Sequence, residues 1–296
     1  MSTATISATL SGTITLGEEL TVNRLGYGAM RITGEGIWGP PKDRKEALAV
    51  LRRAVDLGVN FIDTADSYGP GVSEELIAEA LYPYPKDLVI ATKGGWMRPA
   101  AGHWSHNASP AHLRQAVEDS LKRLRLRRID VYQLHHPDPA VPFRASVETL
   151  AELQREGKIR LVALSNVTRE HVERARKIVP IVSVQNRYSF ADREWENVLD
   201  YCTENGIAFI PWFPLGAGRL AGEVLERVAK AHSAKPNQVA LAWLLQRSPL
   251  MLPIPGTSSV KHLEENVAAS GLKLTDQEFQ QLDKAGRESA DMVFRA

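Results

Sequence analysis

Short apolar runs alternate with amphipathic stretches along almost the whole chain. NFIDTAD (60–66) leads into SEELIAEAL, and DLVIATK (87–93) leads, after a long loop, into SPAHLRQAVEDSLKRL. IDVYQLHH (129–136) precedes RASVETLAELQREG, IRLVALSN (159–166) precedes TREHVERARKI, and IVSVQN (181–186) precedes REWENVLDYCTENG. IAFIPW (207–212) runs through LERVAKAHS to NQVALAWLLQRS, and MLPIPG (251–256) runs to SVKHLEENVAAS. Ahead of them all, RLGYGAM (24–30) precedes RKEALAVLRRAVDLG. The apolar runs are short and rich in β-branched residues, as strands are. The stretches between them keep a 3.6-residue period.

Eight strand-then-helix units in series predict a parallel sheet with helices outside it, and eight such units closing on themselves form an α/β fold of the (β/α)8 TIM-barrel type. Ser73, Ser109 and Thr168 stand where helix caps belong, and Gly58, Gly157 and Gly206 where helices should stop. TITL and LTV alternate around Gly17-Glu18-Glu19 and predict an N-terminal β-hairpin across one barrel end. LTDQEFQQLDKAG predicts an extra C-terminal helix with a threonine cap. With no low-complexity linker, residues 1–296 are expected to form one barrel domain.

Composition narrows the partners. A net charge of +1 gives no bulk electrostatic reason to bind nucleic acid or an anionic membrane. No apolar run approaches the length of a membrane span, and the N-terminal residues do not have the form of a signal peptide. The single cysteine, Cys202, excludes an internal disulfide and fits a reducing cytoplasm. With no base beside it in sequence, Cys202 reads as a small buried hydrophobe. The basic run KRLRLRRID (122–130) closes a helix, where cations complement the dipole.

In such barrels the chemistry sits at the C-terminal ends of the strands. Those ends carry Asp63 with Tyr68 in its loop, then Lys93, His135-His136, Ser165-Asn166, Gln185-Asn186 and Trp212. An ammonium beside a tyrosine stabilises the phenolate and lowers its pKa, and a carboxylate keeps that ammonium charged and in place. A histidine can hydrogen-bond a substrate oxygen. The set is a general acid for a carbonyl oxygen that is becoming an alkoxide. It contains no nucleophile–base pair and no metal-ligand set, so the electrons must come from elsewhere; a nicotinamide hydride would supply them. Strand alternation does not choose between His135 and His136 without knowing which face each presents.

FIDTADSYG, ATKGG, YQLHHPD, LSNVT, VQNRYS, PWFPLGAG and IPGTSSVKHLEEN occur in an order that resembles the aldo-keto reductases over nearly the whole chain. The resemblance implies a catalytic tetrad of Asp63, Tyr68, Lys93 and His135, and so favours the first histidine. It also implies NADPH/NADP+ as cofactor, with NADH a weaker expectation, bound on the barrel without a Rossmann fingerprint. By the same resemblance Ser165, Asn166 and Gln185 hold the nicotinamide amide, and Trp212 replaces the family's stacking tyrosine. Gly28, Ala29 and Met30 line the cofactor site. Leu215, Gly216, Gly218 and Arg219 approach the pyrophosphate. Thr257, Ser258, Ser259 and Lys261 receive the 2′-phosphate at a helix start, with Gly256 before them also on the cofactor. Glu265 and Asn266 face the adenine. His262 departs from the pattern, standing where many members have arginine.

The expected activity is reversible reduction of an aldehyde or ketone to the alcohol, by a monomer acting on a small carbonyl compound. Two other classes stand beside it: a regulatory protein that senses cofactor on the same fold, and a barrel aldolase or lyase using Lys93 as a Schiff base. The resemblance gives Asp66 no role and it reads as loop structure; a glycosidase-like pair of Asp63 and Asp66 is not expected, since no second acid stands at a later strand end. Trp38, Trp96 and Trp104 lie in the loops after strands one and three and suggest an apolar substrate pocket. The long loop GGWMRPAAGHWSHNAS is expected to act as its wall or lid.

Overall fold

The computed structural model describes residues 6–216 and 222–295. Its centre is a curled parallel sheet of seven strands: β3 (Tyr27–Gly28), β4 (Phe61–Asp63), β5 (Val89–Gly94), β8 (Ile129–Leu134), β9 (Ile159–Ser165), β10 (Ile181–Arg187) and β11 (Ala208–Trp212). Neighbours in space follow chain order, as right-handed βα units require. The helices α1 (Arg44–Asp56), α2 (Val72–Leu81), α3 (Pro110–Arg123), α4 (Phe143–Arg155), α5 (Arg169–Arg176) and α6 (Glu196–Glu204) cover it outside, followed by α7 (Glu223–Ala231), α8 (Pro236–Arg247) and α9 (Val260–Ala268).

The eighth stave is present without being a strand. Phe209 bridges Met251 in parallel, with Phe209 N donating to Leu250 O and Leu252 N to Phe209 O, both at 2.9 Å. On the other side Gly26 N donates to Pro253 O at 2.9 Å, which closes the (β/α)8 barrel. Pro253 and Pro255 lack the N–H groups that would extend a ladder there. The first strand is also shorter than the sequence pattern suggests, because the backbone turns into a 3-10 helix at Ala29–Ile32.

The hairpin is β1 (Thr13–Leu16) with β2 (Leu20–Asn23), in antiparallel register Leu16 to Leu20. Its alternating buried residues Ile14, Leu16, Leu20 and Val22 join Phe61, Val89, Ala91, Val131, Leu161, Ala163 and Ile210 in one core inside the barrel. The hairpin therefore plugs the N-terminal end. Gly17, at φ 57°, turns it so tightly against the barrel that a Cβ would stand 2.9 Å from Leu161 and Val182. Above this apolar floor the strands present polar side chains, so the site sits at the opposite end.

Ser109 and Thr168 cap α3 and α5, and Gly58, Gly157 and Gly206 take the left-handed conformation that ends a helix. Ser73 does not cap. Gly71 precedes α2, and the buried Ser73 hydroxyl accepts from Thr64 Oγ1 at 2.8 Å and donates to Ala29 O at 3.1 Å. The C-terminal helix α10 (Asp276–Arg295) starts from Thr275, whose Oγ1 accepts from Glu278 N at 3.2 Å. The loop over 94–109 is an ordered antiparallel hairpin, β6 (Trp96–Ala100) with β7 (His103–His106). Burial pushes the Cys202 thiol up to about 12, as befits a core residue.

Candidate active site

Along β4, β5, β8 and β9 the inward positions change from apolar to polar towards the C-terminal end. Phe61 gives way to Asp63, Ala91 to Lys93, Val131 to Gln133 and Ala163 to Ser165. The two-residue period explains each replacement, since every second side chain faces the same interior. It also separates the histidines. His135 continues the inward row of Val131 and Gln133 and is buried, with its ring centroid 5.9 Å from that of Tyr68. His136 turns towards the β6–β7 hairpin, and its Nδ1 lies 2.7 Å from Pro137 O.

Lys93 is fully buried. Its Nζ donates to Asp63 Oδ2 at 2.6 Å, Thr64 O at 2.8 Å and the Tyr68 hydroxyl at 3.3 Å. Three acceptors match the three N–H bonds of an ammonium. Asp63 is equally occupied, because Gln133 Nε2 and Gln185 Nε2 each donate to its Oδ1 at 2.8 Å. Burial acts to lower the Lys93 pKa, but Asp63 and Tyr68 outweigh it and the net direction is upward. Lys93 thus stays charged.

The tyrosine departs from the sequence expectation. Burial raises the Tyr68 pKa by more than Lys93 lowers it, so the net shift is upward. The phenol therefore holds its proton through neutral pH. Burial, with Lys93 and His136 adding to it, drives the His135 pKa well below the usual histidine range. A neutral His135 faces the Ser67 hydroxyl at 3.4 Å from Nδ1. Asp66 serves the loop through its backbone: its N–H donates to Lys93 O at 3.2 Å, and its carbonyl accepts from Gly71 N at 2.7 Å.

A cavity of about 690 Å³ opens above this group. Asp63, Tyr68, His135, Ser165, Asn166, Gln185, Trp212, Leu215, Gly28, Met30 and Gly256 line it together, with Trp96 and Trp104 on the wall. Trp38 is not on that lining; its ring packs 5.5 Å from the Arg98 guanidinium carbon. Ala29 is buried away from the cavity, its carbonyl taken by Ser73. A second cavity of about 340 Å³ adjoins, lined by Leu215, Gly256, Thr257, His262, Glu265 and Asn266 together with Lys235, Asn237 and Gln238. Gly216 closes a turn back to Phe213 O at 2.8 Å, and Gly218 and Arg219 lie outside the described residues.

The donor set suits a nicotinamide dinucleotide. Gly28 and Gly256 meet backbone to backbone: a Cβ on the first would stand 2.6 Å from Ile254 O, and one on the second 2.7 Å from Gly28 O. Only glycines leave that floor flat. Trp212 Nε1 donates to Asn166 Oδ1 at 3.0 Å, which fixes a planar indole on the wall. Asn166, at φ 56°, also donates to His135 O at 3.0 Å, so it ties the histidine to the indole. At the expected phosphate end, Ser258 and exposed Lys261 flank the start of α9, but the Val260 N–H there is already bonded to Glu46 Oε1 at 2.9 Å. Lys235 holds Glu265 at 2.5 Å.

Gln133, Ser67, Glu46, Lys235 and Arg98 were not singled out from the sequence. Gln133 was within reach, since it lies two residues before His135, on the inward row at the end of β8. The others act across loops far apart in the chain, and no local pattern marks them.

A family model described as "Aldo/keto reductase family" matches residues 24–287. The chain is 50% identical over 284 residues to an uncharacterized oxidoreductase of Schizosaccharomyces pombe, covering 95% of this chain and 92% of that protein. It is 49% identical over 285 residues to pyridoxine 4-dehydrogenase of Escherichia coli, covering 94% of this chain and 99% of the relative. The crystal structure of an aldo-keto reductase from Klebsiella pneumoniae in complex with NADPH superposes with a TM-score of 0.79 at 28% identity, covering 93% of this chain and 95% of that one.

Proposed function

Because the chain belongs to the aldo/keto reductase family, whose members are NAD(P)H-dependent oxidoreductases, we propose that it interconverts a carbonyl compound and its alcohol with NADP(H). The observation that carries this reading is the position of Lys93 Nζ, 2.6 Å from Asp63 and 3.3 Å from the Tyr68 hydroxyl, beneath a cavity that Tyr68 and His135 share.

The cofactor is held by Ser165, Asn166 and Gln185 at the nicotinamide amide, by Trp212 against the ring, and by Ser258 and Lys261 at the 2′-phosphate. Gln185 Nε2 is committed to Asp63, which leaves its Oε1 to accept from the amide. Bound there, the reduced nicotinamide supplies the hydride for the carbonyl carbon. His135, neutral at its depressed pKa, orients the carbonyl through a ring N–H. Tyr68 donates the phenolic proton as negative charge develops on that oxygen. Lys93 then neutralises the phenolate, and Asp63 holds Lys93 in place.

The substrate side of the cavity is aromatic. Trp96 lies edge-on to His135 with centroids 6.4 Å apart, and Trp96 and Trp104 meet at 5.7 Å. A flat aromatic aldehyde fits such a wall. With the 49% identity to pyridoxine 4-dehydrogenase, this supports pyridoxal and pyridoxine as the substrate pair. The Schiff-base reading is disfavoured, because an amine with all three N–H bonds engaged and its pKa raised has no free lone pair. An intact acid group likewise has no use in a protein that only senses cofactor. A monomeric barrel in a reducing cytoplasm completes the reading, consistent with the single free Cys202.

The test is a titration of the protein with NADPH and with NADH, read through tryptophan fluorescence, followed by pyridoxal reduction. NADPH binding with pyridoxal turnover is the expected result. Binding of neither nucleotide removes the hydride donor and overturns the reading.

A further inference from the structure

The β6–β7 hairpin presents an inverted surface. Met97 and Trp104 are exposed at 38% and 37%, whereas the one buried residue of β6 is a charged arginine, Arg98, at 8%. Among the described residues this guanidinium has no carboxylate partner. It donates instead to backbone carbonyls: Nη1 to Ile37 O at 2.9 Å and Ser67 O at 3.5 Å, and Nη2 to Gly36 O at 3.1 Å. Its Cζ lies 3.8 Å from the Trp104 ring centroid and 5.5 Å from that of Trp38, so two indole faces flank it.

Those contacts reach three separate loops. Gly36, Ile37 and Trp38 belong to the loop after β3. Ser67 immediately precedes Tyr68 in the loop after β4. Arg98 and Trp104 belong to the hairpin after β5. The first two loops are already joined, since Gly39 N donates to Gly69 O at 2.8 Å and Gly69 N to Ile37 O at 3.3 Å. Among the described residues the hairpin has no comparable ladder to them. A buried cation without an anion is costly to desolvate unless fixed dipoles and aromatic faces replace its water; here three carbonyls and two indoles do so for the Nη groups, and Nε alone lacks an acceptor among the described residues.

We propose that Arg98 is the specificity-determining positioning residue of this site: it clamps the hairpin across the cavity mouth and so fixes the indole wall against which an aromatic substrate packs. Its partners are the indole wall, the segment at 36–38 and the residue before Tyr68, and among the described residues none of its contacts is to Trp212, Asn166 or α9. Arginine is needed for its chemistry, because a planar fork can reach two adjacent carbonyls while lying flat on an indole, and an ammonium cannot. The substrate consequence rests on the carbonyl-reductase reading; the clamping itself does not.

The experiment compares the full chain with Arg98→Met and Arg98→Lys. Hydrogen exchange reads the clamp: faster exchange of amides 96–106 and 35–39, with unchanged protection of the barrel strands, is expected in both variants. Turnover of pyridoxal and of propanal reads its consequence. The pyridoxal-to-propanal ratio of kcat/KM should fall about tenfold or more, carried by KM for pyridoxal, with NADPH affinity unchanged. Unchanged exchange in the hairpin overturns the proposal, and so does an equal loss for both aldehydes. A wild type that reduces neither aldehyde refutes the reductase reading instead, and the exchange measurement still decides whether Arg98 is a clamp.

Discussion

Gln133 donates its side-chain amide to Asp63, Nε2 to Oδ1 at 2.8 Å, from a strand two places away in the barrel wall. Gln185 does the same from the far side at the same distance. With Lys93 on Oδ2, these bonds hold the carboxylate inside a barrel where it would otherwise be costly. Replacing Gln133 by leucine removes one bond to a buried charge. The expected loss is about 1.5–3 kcal/mol of stability, read by urea unfolding. An unchanged midpoint would show that Asp63 does not depend on it.

Tyr68→Phe keeps the ring against His135 and removes only the proton. The variant should fold, bind NADPH as the wild type does, and lose turnover by about 10²–10⁴-fold. Near-normal pyridoxal reduction would falsify the assignment of Tyr68 as the acid.

The pH dependence has two signs to separate. His135 is held neutral in the folded chain, with its pKa well below 6.5, so below that value the unfolded chain binds a proton the native one refuses. Its contribution to stability is therefore present above about pH 6.5 and lost as pH falls. A His135→Gln variant should show a shallower decline on the acid side; parallel curves would contradict this. Tyr68 shifts the other way. With its pKa raised above 10.0, its proton is available for reduction across neutral pH. In the oxidative direction it must act as base, so alcohol oxidation should keep rising with pH through the alkaline range. A plateau near neutrality would mean that Lys93 dominates once cofactor is bound.

At the start of α9, Glu46 competes for the place an anion would take. Lys261→Ala should weaken NADPH by about tenfold or more while sparing NADH, which lacks the 2′-phosphate. Glu46→Gln should have the opposite effect and tighten NADPH alone. Equal changes for both nucleotides would move the phosphate site elsewhere.

The barrel was legible because its signal is periodic. Each apolar run and each helical stripe repeats a rule that operates within ten residues. Both weak staves carry the apolar pattern of a strand, yet Tyr27–Gly28 forms only a two-residue strand and Met251 a single bridge, the latter where Pro253 and Pro255 withhold N–H groups from the ladder. The strand-end polar residues could be collected into one site for the same topological reason. Three things were not legible. Ser73 looks like a cap from its neighbours but is drawn inward by Thr64. The pKa direction of Tyr68 depends on how deeply the loop is buried, which no motif states. The indoles were visible as residues, but the arginine that orders them joins loops some thirty to sixty residues apart in the chain.

The seam at the closing stave has a consequence beyond architecture. Among the described residues it is crossed by three backbone hydrogen bonds, at Leu250, Leu252 and Gly26. Gly28 stands on one bank of it, Trp212 on the other, and Ile254 and Gly256 along its length, all facing the cavity. A molecule lying there spans the gap as a latch spans a gate, touching both banks at once, which only the folded chain allows. At one hundred times its Kd such a ligand adds about 2.7 kcal/mol to the folded state. The durability of this protein in a cell would then track the supply of nicotinamide nucleotide.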